Sequence, residues 1–112
     1  MTADQFRRVA LSLPGVSEGS HMGHVDFRVG GKIFASLGYP DDAWGVVNLT
    51  PQQQGEFVRD HPKIFVPVKG AWGRQGSTNV RLKPATKAIL FTAMVAAWRK
   101  RAPDDLAEEF ET

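Results

Sequence analysis

Residues 24–37 read HVDFRVGGKIFASL, and this stretch decides the fold. From His24 to Val29, apolar side chains at Val25, Phe27 and Val29 alternate with polar ones. Such alternation is typical of an antiparallel strand with one buried face. The two glycines that follow favour a tight turn, because glycine readily adopts the positive φ angles that tight turns require. Residues 32–37 are therefore predicted to return as a second, paired strand.

The sequence that follows extends this hairpin into a larger sheet. A loop at residues 39–42 leads to a third predicted strand over residues 43–49. Residues 63–68 and 77–82 form a second predicted hairpin, and the segment that joins them contains Trp72 and is long enough to project. The sequence thus predicts an α+β fold, an antiparallel sheet of two hairpin units with helices packed on one face.

The helices have recognisable N-termini. Thr2 precedes Gln5 by three positions, and Thr50-Pro51 precedes Gln53. A Thr hydroxyl can cap the free backbone amides at a helix start, and Gln can cap in return. The second of these helices is predicted to end near Asp60. A long final helix is predicted from residue 84 or 85 to residue 101, and its apolar side chains indicate a central position against the sheet.

The length of 112 residues suits one domain with a real core and is too short for two. We predict a single domain over residues 1–101, followed by an acidic tail over residues 102–112. Leu106 and Phe110 fall on one side of a further turn or two of helix in this tail. The tail is either solvated or lies across the basic hairpin as a phosphate mimic.

Positive charge is concentrated in one part of the chain. Residues 59–101 contain ten Lys and Arg and one acid, Asp60, although the formal net charge of the whole chain is only +2. Three of these cations, at residues 99–101, are explained by the C-terminus of the final helix, where positive charge is favourable. Five others lie on or beside the second hairpin: Lys63, Lys69, Arg74, Arg81 and Lys83.

Several short motifs together resemble the MmcQ/YjbR family over about residues 1–101. They are the GKIFA strand at residues 31–35, the strand with Trp44, the Thr50-Pro51 helix start, His61-Pro62 before a short apolar strand, and the Trp72 loop before a basic strand. The resemblance implies a compact α+β domain similar to the frataxin-like (CyaY-like) arrangement. It also implies two projecting hairpins, which have been compared with the double wing of a phage transcription factor. DNA binding is the function usually attached to this family.

The sequence therefore predicts a DNA-binding protein that contacts phosphates of double-stranded DNA through the basic second hairpin. The candidate contact residues on that hairpin are Lys63, Lys69, Trp72, Arg74, Asn79, Arg81 and Lys83, with Arg28 and Lys32 as matching contacts on the first hairpin. Strand alternation places Asn79, Arg81 and Lys83 on a single polar face. Trp72 either covers the end of the core, which the family pattern favours, or stacks on a base.

An alternative is a protein-interaction or small-ligand-binding module that uses the open face of the sheet. Frataxin-like sheets leave one face without helices, and Trp44, His24 and Asn48 are candidates for such a face. The sequence predicts neither a particular protein partner nor an oligomeric state.

We do not expect an enzyme. The sequence has no nucleophile elbow and no phosphate-binding loop between a strand and a helix. His21 and His24 precede or begin a strand and have no clear third ligand beyond Asp26, so we predict no metal site, no catalytic residue and no cofactor.

The sequence also predicts a cytoplasmic location. It contains no cysteine, which permits a reducing compartment. No signal pattern is visible at the N-terminus. The longest apolar run, over residues 88–98, is about half of the roughly 20 residues that cross a bilayer, so no membrane association is expected.

Overall fold

The computed structural model describes residues 1–111, with side chains for residues 1–110; Thr112, the last residue of the predicted tail, lies outside the described residues. Within this range, six antiparallel strands form one sheet in the order β1-β2-β3-β4-β6-β5. The strands are β1 (Ser17–His21), β2 (His24–Val29), β3 (Lys32–Leu37), β4 (Trp44–Asn48), β5 (Phe65–Pro67) and β6 (Ser77–Arg81). The helices are α1 (Ala3–Leu11), α2 (Pro51–Asp60), α3 (Ala71–Arg74), α4 (Lys87–Arg101) and α5 (Asp104–Glu111). The predicted α+β class with an antiparallel sheet is confirmed.

The two predicted helix caps form. The Thr2 hydroxyl accepts a hydrogen bond from the Gln5 backbone amide at 3.1 Å, and Thr50 accepts one from Gln53 at 3.1 Å. Each glutamine side chain accepts in return from the backbone amide of its threonine. Helix α4 begins at Lys87, slightly later than predicted, because Thr86 is its N-cap.

The core lies between the sheet and the helices α1 and α4. Phe27, Val47 and Val80 contribute to it from the sheet, and α4 contributes Leu90 and Trp98, all fully buried. The Trp98 indole N–H donates to the Pro14 carbonyl at 2.9 Å, which ties α4 to the segment after α1. The central position predicted for α4 is confirmed.

Strand β1 is an element that the sequence did not predict. Its residues are Ser, Glu, Gly, Ser and His, so it has no apolar alternation. It lies at the edge of the sheet and is largely exposed, pairing Ser17 with Arg28 and His21 with His24. Backbone pairing with β2, rather than burial of side chains, therefore holds this segment extended.

The second hairpin is part of the sheet, and the predicted projecting Trp72 loop is wrong. Strand β6 lies between β4 and β5, so it has a hydrogen-bonded neighbour on each side. The connection folds into α3 and returns to the body of the protein, because the Gln54 amide on α2 donates to the carbonyls of Gly73 and Ser77 at 2.9 and 3.0 Å. A β-carbon at Gly73 would lie 1.6 Å from the Val68 carbonyl oxygen, so the backbone here is tightly packed.

Helix α5 packs on the helix layer. The Phe110 ring lies 5.3 Å from the Trp98 ring, and the Leu106 side chain lies directly over Gly15. The expected helical turns with Leu106 and Phe110 on one side are confirmed. The acidic segment does not lie across the basic hairpin, because its apolar side is docked on α4 and on the loop after α1.

Candidate functional site

Within the described residues, the helices α1 and α4 form the core with one face of the sheet, and the opposite face carries a groove. Cross-strand pairing aligns Asp26, Ser36, Val46, Asn79 and Val66 in a row across five strands on this side. The adjacent row of Phe27, Ala35, Val47 and Thr78 points to the buried core on the other side. We call the side with the groove the open face.

A groove of about 780 Å³ runs over the open face. One end of the sheet carries the Gly30-Gly31 turn and is called the Gly30 end; the other carries Tyr39 and is called the Tyr39 end. The groove is lined toward the Gly30 end by Lys32, Asn48, Trp72 and Arg101, and toward the Tyr39 end by His24 and Tyr39. Its lining includes no Asp or Glu among the residues that the structure describes. The groove is therefore suited to an anionic ligand.

Trp72 is exposed at this groove. It lies on α3, and 71% of its surface is accessible. The interpretation that Trp72 covers the end of the core is therefore wrong. A Trp ring that is largely exposed beside cations can stack on a flat ligand.

A buried carboxylate fixes one of the groove cations. Asp26 is fully buried and accepts hydrogen bonds from Arg28 Nε at 2.8 Å and Nη2 at 3.0 Å. His21 Nδ1 lies 2.8 Å from the same carboxylate. The Arg28 guanidinium, and to a smaller extent His21, hold the pKa of Asp26 below its usual value, although burial opposes this effect. Arg28 is thus rigidly placed, but Asp26 neutralises much of its charge.

Lys32 and Arg101 are the unneutralised cations of the groove. Neither has an ion-pair partner within residues 1–110. Arg101 Nε is in addition buried without a hydrogen-bond partner in the part of the chain that the structure describes. A buried, unpaired donor costs about 1 to 3 kcal/mol, so Arg101 is held in this position at some cost to stability.

Arg101 was missed by sequence reasoning. Its place at the end of α4 had a sufficient explanation in the helix dipole, and no local motif marks it. The structure gives the three neighbouring cations different environments. The Arg99 guanidinium lies 5.5 Å from the centre of the Phe110 ring, and Lys100 Nζ donates to the Leu49 carbonyl at 2.9 Å, whereas Arg101 lines the groove. Burial lowers the pKa of Lys100.

The predicted contact residues of the second hairpin fall into two groups. Lys69, Trp72 and Arg74 lie in the connection at the Gly30 end, because Val68 pairs with Ser77 there. Lys63, Arg81 and Lys83 lie at the Tyr39 end, where the Arg81 amide donates to Ile64 and the Leu82 amide to Ala43. The length of β6 separates these groups by about 13 Å. Lys32 and Trp72, from the two predicted hairpins, line the same groove.

The expected polar face of β6 is only partly exposed. Asn79 is buried in the middle of the strand, and its Oδ1 atom has no partner in the described part of the chain. Arg81 is exposed, and its guanidinium lies 4.9 Å from the centre of the Trp44 ring. Asn79 is therefore too buried to offer the expected polar contact, whereas Arg81 is exposed and covers Trp44.

These features define an α+β domain whose antiparallel sheet is covered by helices on one face and carries a basic, aromatic groove on the other. The family model described as YjbR matches residues 11–101, and the chain belongs to this family. The resemblance found in the sequence is thus confirmed.

A solved structure has a similar fold. The crystal structure of the Deinococcus radiodurans protein DR2400, which has a DUF419 domain, superimposes with a TM-score of 0.74 at 18% identity, covering 98% of this chain and 88% of that one. At this identity the likeness concerns the fold alone. No curated protein matches the sequence. None of the helices within residues 1–111 has the length and apolar character needed to cross a membrane.

Proposed function

We propose that this chain is a non-catalytic DNA-binding protein that binds its ligand in the open-face groove. The observation that carries the proposal is the exposed Trp72 beside Lys32 and Arg101 in a groove whose described lining has no acidic side chain. Cations neutralise phosphates and release their counterions, and an exposed aromatic offers a flat face to a base. We propose the cytoplasm as its location, since a chain without cysteine needs no oxidising compartment.

The contact surface differs from the one expected from the sequence. The proposal centres on the Gly30 end, where Lys69 and Arg74 flank Trp72 and add to the positive charge. Arg28 lies in the same groove, although it is paired with Asp26. Lys63, Arg81 and Lys83 at the Tyr39 end become secondary contacts, available to a ligand long enough to reach them.

A salt titration with a matched pair of variants tests this function. Labelled DNA, both duplex and single-stranded, is titrated at low and at physiological salt, and the affinity is expected to fall steeply with salt. Lys32→Glu should weaken binding and lower the salt slope by about one, because it removes one phosphate contact. Lys87→Glu changes the net charge equally but lies at the start of α4, in the helix layer, and should have little effect. DNA binding that is absent even at low salt, or equal weakening by both variants, would argue against the proposal.

A small-ligand module is the second candidate, because the groove volume of about 780 Å³ lies in the range of ligand pockets. A nucleoside monophosphate distinguishes the two functions. If the monophosphate binds as tightly as an oligonucleotide, the small-ligand module is favoured. If the oligonucleotide binds much more tightly, the DNA-binding protein is favoured, since a polymer engages additional cations.

A further inference from the structure

We infer that the groove takes single-stranded DNA, with an unpaired base stacked on Trp72 and an adjoining phosphate at Arg101 and Lys32. This inference rests on the proposed function and names the form of nucleic acid that the groove binds. Three features of the structure lead to it: an exposed indole on a well-anchored backbone, two unneutralised cations in the same groove, and the breadth of the sheet.

The Trp72 ring is mounted on a fixed backbone. Helix α3 has only four residues, but both of its flanks are tied to the rest of the protein. The Gln54 amide bonds the carbonyls of Gly73 and Ser77, and the backbone at Gly73 is in close contact with Val68. Little backbone entropy is lost when a ligand meets such a ring, so stacking is more favourable than it would be on a mobile loop.

Two cations line the groove together with Trp72 and would meet the phosphates of a bound strand. Lys32 and Arg101 line the groove together with Trp72, and neither is neutralised by an acid in the described part of the chain. Arg28 is different, because Asp26 holds both its Nε and its Nη2. A phosphate oxygen in the groove would accept hydrogen bonds from the Arg101 guanidinium, which lines it.

The breadth of the sheet opposes entry into a duplex. The major groove is about 12 Å wide and admits a helix or a two-stranded ribbon. The described sheet has six strands, and at about 4.8 Å between neighbours it is roughly 24 Å across. Strands β2 and β6 each have a neighbouring strand on both sides. Neither predicted hairpin can therefore enter the major groove of a duplex separately from the rest of the sheet. A duplex also hides the faces of its bases, whereas a single strand presents them.

A second aromatic lies at the far end of the groove. Tyr39 is 47% exposed and packs edge-on against His24, with 6.3 Å between the ring centres. The strand β3, from Lys32 to Leu37, separates the two ends of the groove by about 16 Å. A single strand of several nucleotides can therefore follow the groove from Trp72 toward Tyr39.

Three probes of equal length, about 12 nucleotides, separate stacking from charge. They are a single-stranded oligothymidylate, an abasic strand with the same phosphates and no bases, and a duplex. Fluorescence anisotropy with the full chain measures each affinity. We expect the oligothymidylate to bind more tightly than either of the other probes.

The variant Trp72→Ala should weaken oligothymidylate binding by about 5- to 150-fold, which is the measured range for loss of one stacked base. Its affinity for the abasic strand should be unchanged. Phe91→Ala is the matched control, since Phe91 is an aromatic that is 39% exposed but lies on α4, in the helix layer. Trp72→Phe should retain most of the affinity, since a phenyl ring can also stack on a base. It should lose most of the quenching of tryptophan fluorescence that DNA binding causes, because Trp98 is fully buried and Trp44 lies beneath Arg81.

The outcomes also separate this inference from the proposed function. If the duplex binds more tightly than the single strand, the protein still binds DNA and the single-strand inference fails. If Trp72→Ala weakens the abasic strand as much as the oligothymidylate, or weakens neither, base stacking is rejected. If none of the three probes binds at low salt, both the inference and the proposed function fail.

Discussion

Replacing Asp26 with Asn tests the ion cluster of Asp26, Arg28 and His21, which holds Arg28 in its place in the groove. The substitution keeps the shape of the side chain but removes the charge that accepts two bonds from Arg28 and one contact from His21. A hydrogen bond to a charged group contributes about 1.5 to 3 kcal/mol to stability. The Arg28 and His21 side chains are 37% and 44% exposed and can turn to water. We therefore expect a total loss of about 2 kcal/mol at neutral pH rather than the sum of three bonds.

The pKa of Asp26 determines how this loss of stability should change with pH. Hydrogen bonds from Arg28 lower the pKa of folded Asp26 below its ordinary value of 3.8. A carboxylate with a depressed folded pKa stabilises the protein above the unfolded pKa, and this contribution is lost as the pH falls through the folded pKa. The difference in unfolding free energy between the native chain and Asp26→Asn should still be fully present at about pH 5, above the unfolded pKa of an aspartate. It should shrink below about pH 4, where the carboxyl of the unfolded chain takes up a proton, and should be lost once the pH falls below the folded pKa of Asp26.

Urea denaturation followed by circular dichroism at several pH values measures this difference. Asp4→Asn is the matched control, because Asp4 forms an exposed pair with Arg8 at i,i+4 spacing on α1. Its removal should cost only about 0.5 kcal/mol. The reasoning is refuted if Asp26→Asn costs no more than Asp4→Asn at neutral pH, or if its cost is the same above and below the pKa of Asp26.

Three further substitutions test the packing of the protein around the groove and in the helix layer. Gly76→Ala should destabilise the protein by more than about 3 kcal/mol, because Gly76 has φ +113° and a β-carbon there would lie 1.8 Å from the Leu49 carbonyl oxygen. Gly55→Ala, on α2 with open space around it, should instead stabilise by about 0.5 to 1 kcal/mol. Phe110→Ala should cost about 1 to 2 kcal/mol, since its ring packs on Trp98, and should leave DNA affinity unchanged. Urea denaturation measures all three, and a neutral Gly76→Ala or Phe110→Ala would contradict the packing described.

Most of the fold could be predicted because its signals are local. Thr2 and Thr50 each cap a helix whose glutamine partner is three positions away, and the alternation around Phe27 spans only one strand. Strand β1 could not be predicted, because its polar residues are held by pairing with β2 and bury no apolar face. The same holds for α3, which depends on a hydrogen bond from Gln54, a residue of another helix.

The site could be predicted less well than the fold, because the groove is assembled from distant segments. Lys32 comes from the first hairpin, Trp72 from the connection before β6, and Arg101 from the end of α4. The end of α4 reaches the Gly30 turn through Pro103, which packs directly against Gly30. Neither this contact nor the exposure of Trp72 can be seen in the local sequence. Charge and aromatic content therefore identified some of the groove residues but did not show which of them line the same groove.

The distribution of charge along the chain also differs from its distribution in space. The cations of residues 63–83 lie in one short segment of the sequence. In the structure, the length of β6 separates Lys63, Arg81 and Lys83 from Lys69 and Arg74 by about 13 Å. This distance exceeds the Debye length of about 8 Å at physiological ionic strength, so the two groups act largely independently on a small anion. Only a ligand that spans the sheet meets both groups. A polymer of phosphates can meet both groups, whereas a single phosphorylated molecule cannot. The proposed DNA binding therefore predicts a second rise in oligonucleotide affinity once the strand is long enough to reach the Tyr39 end.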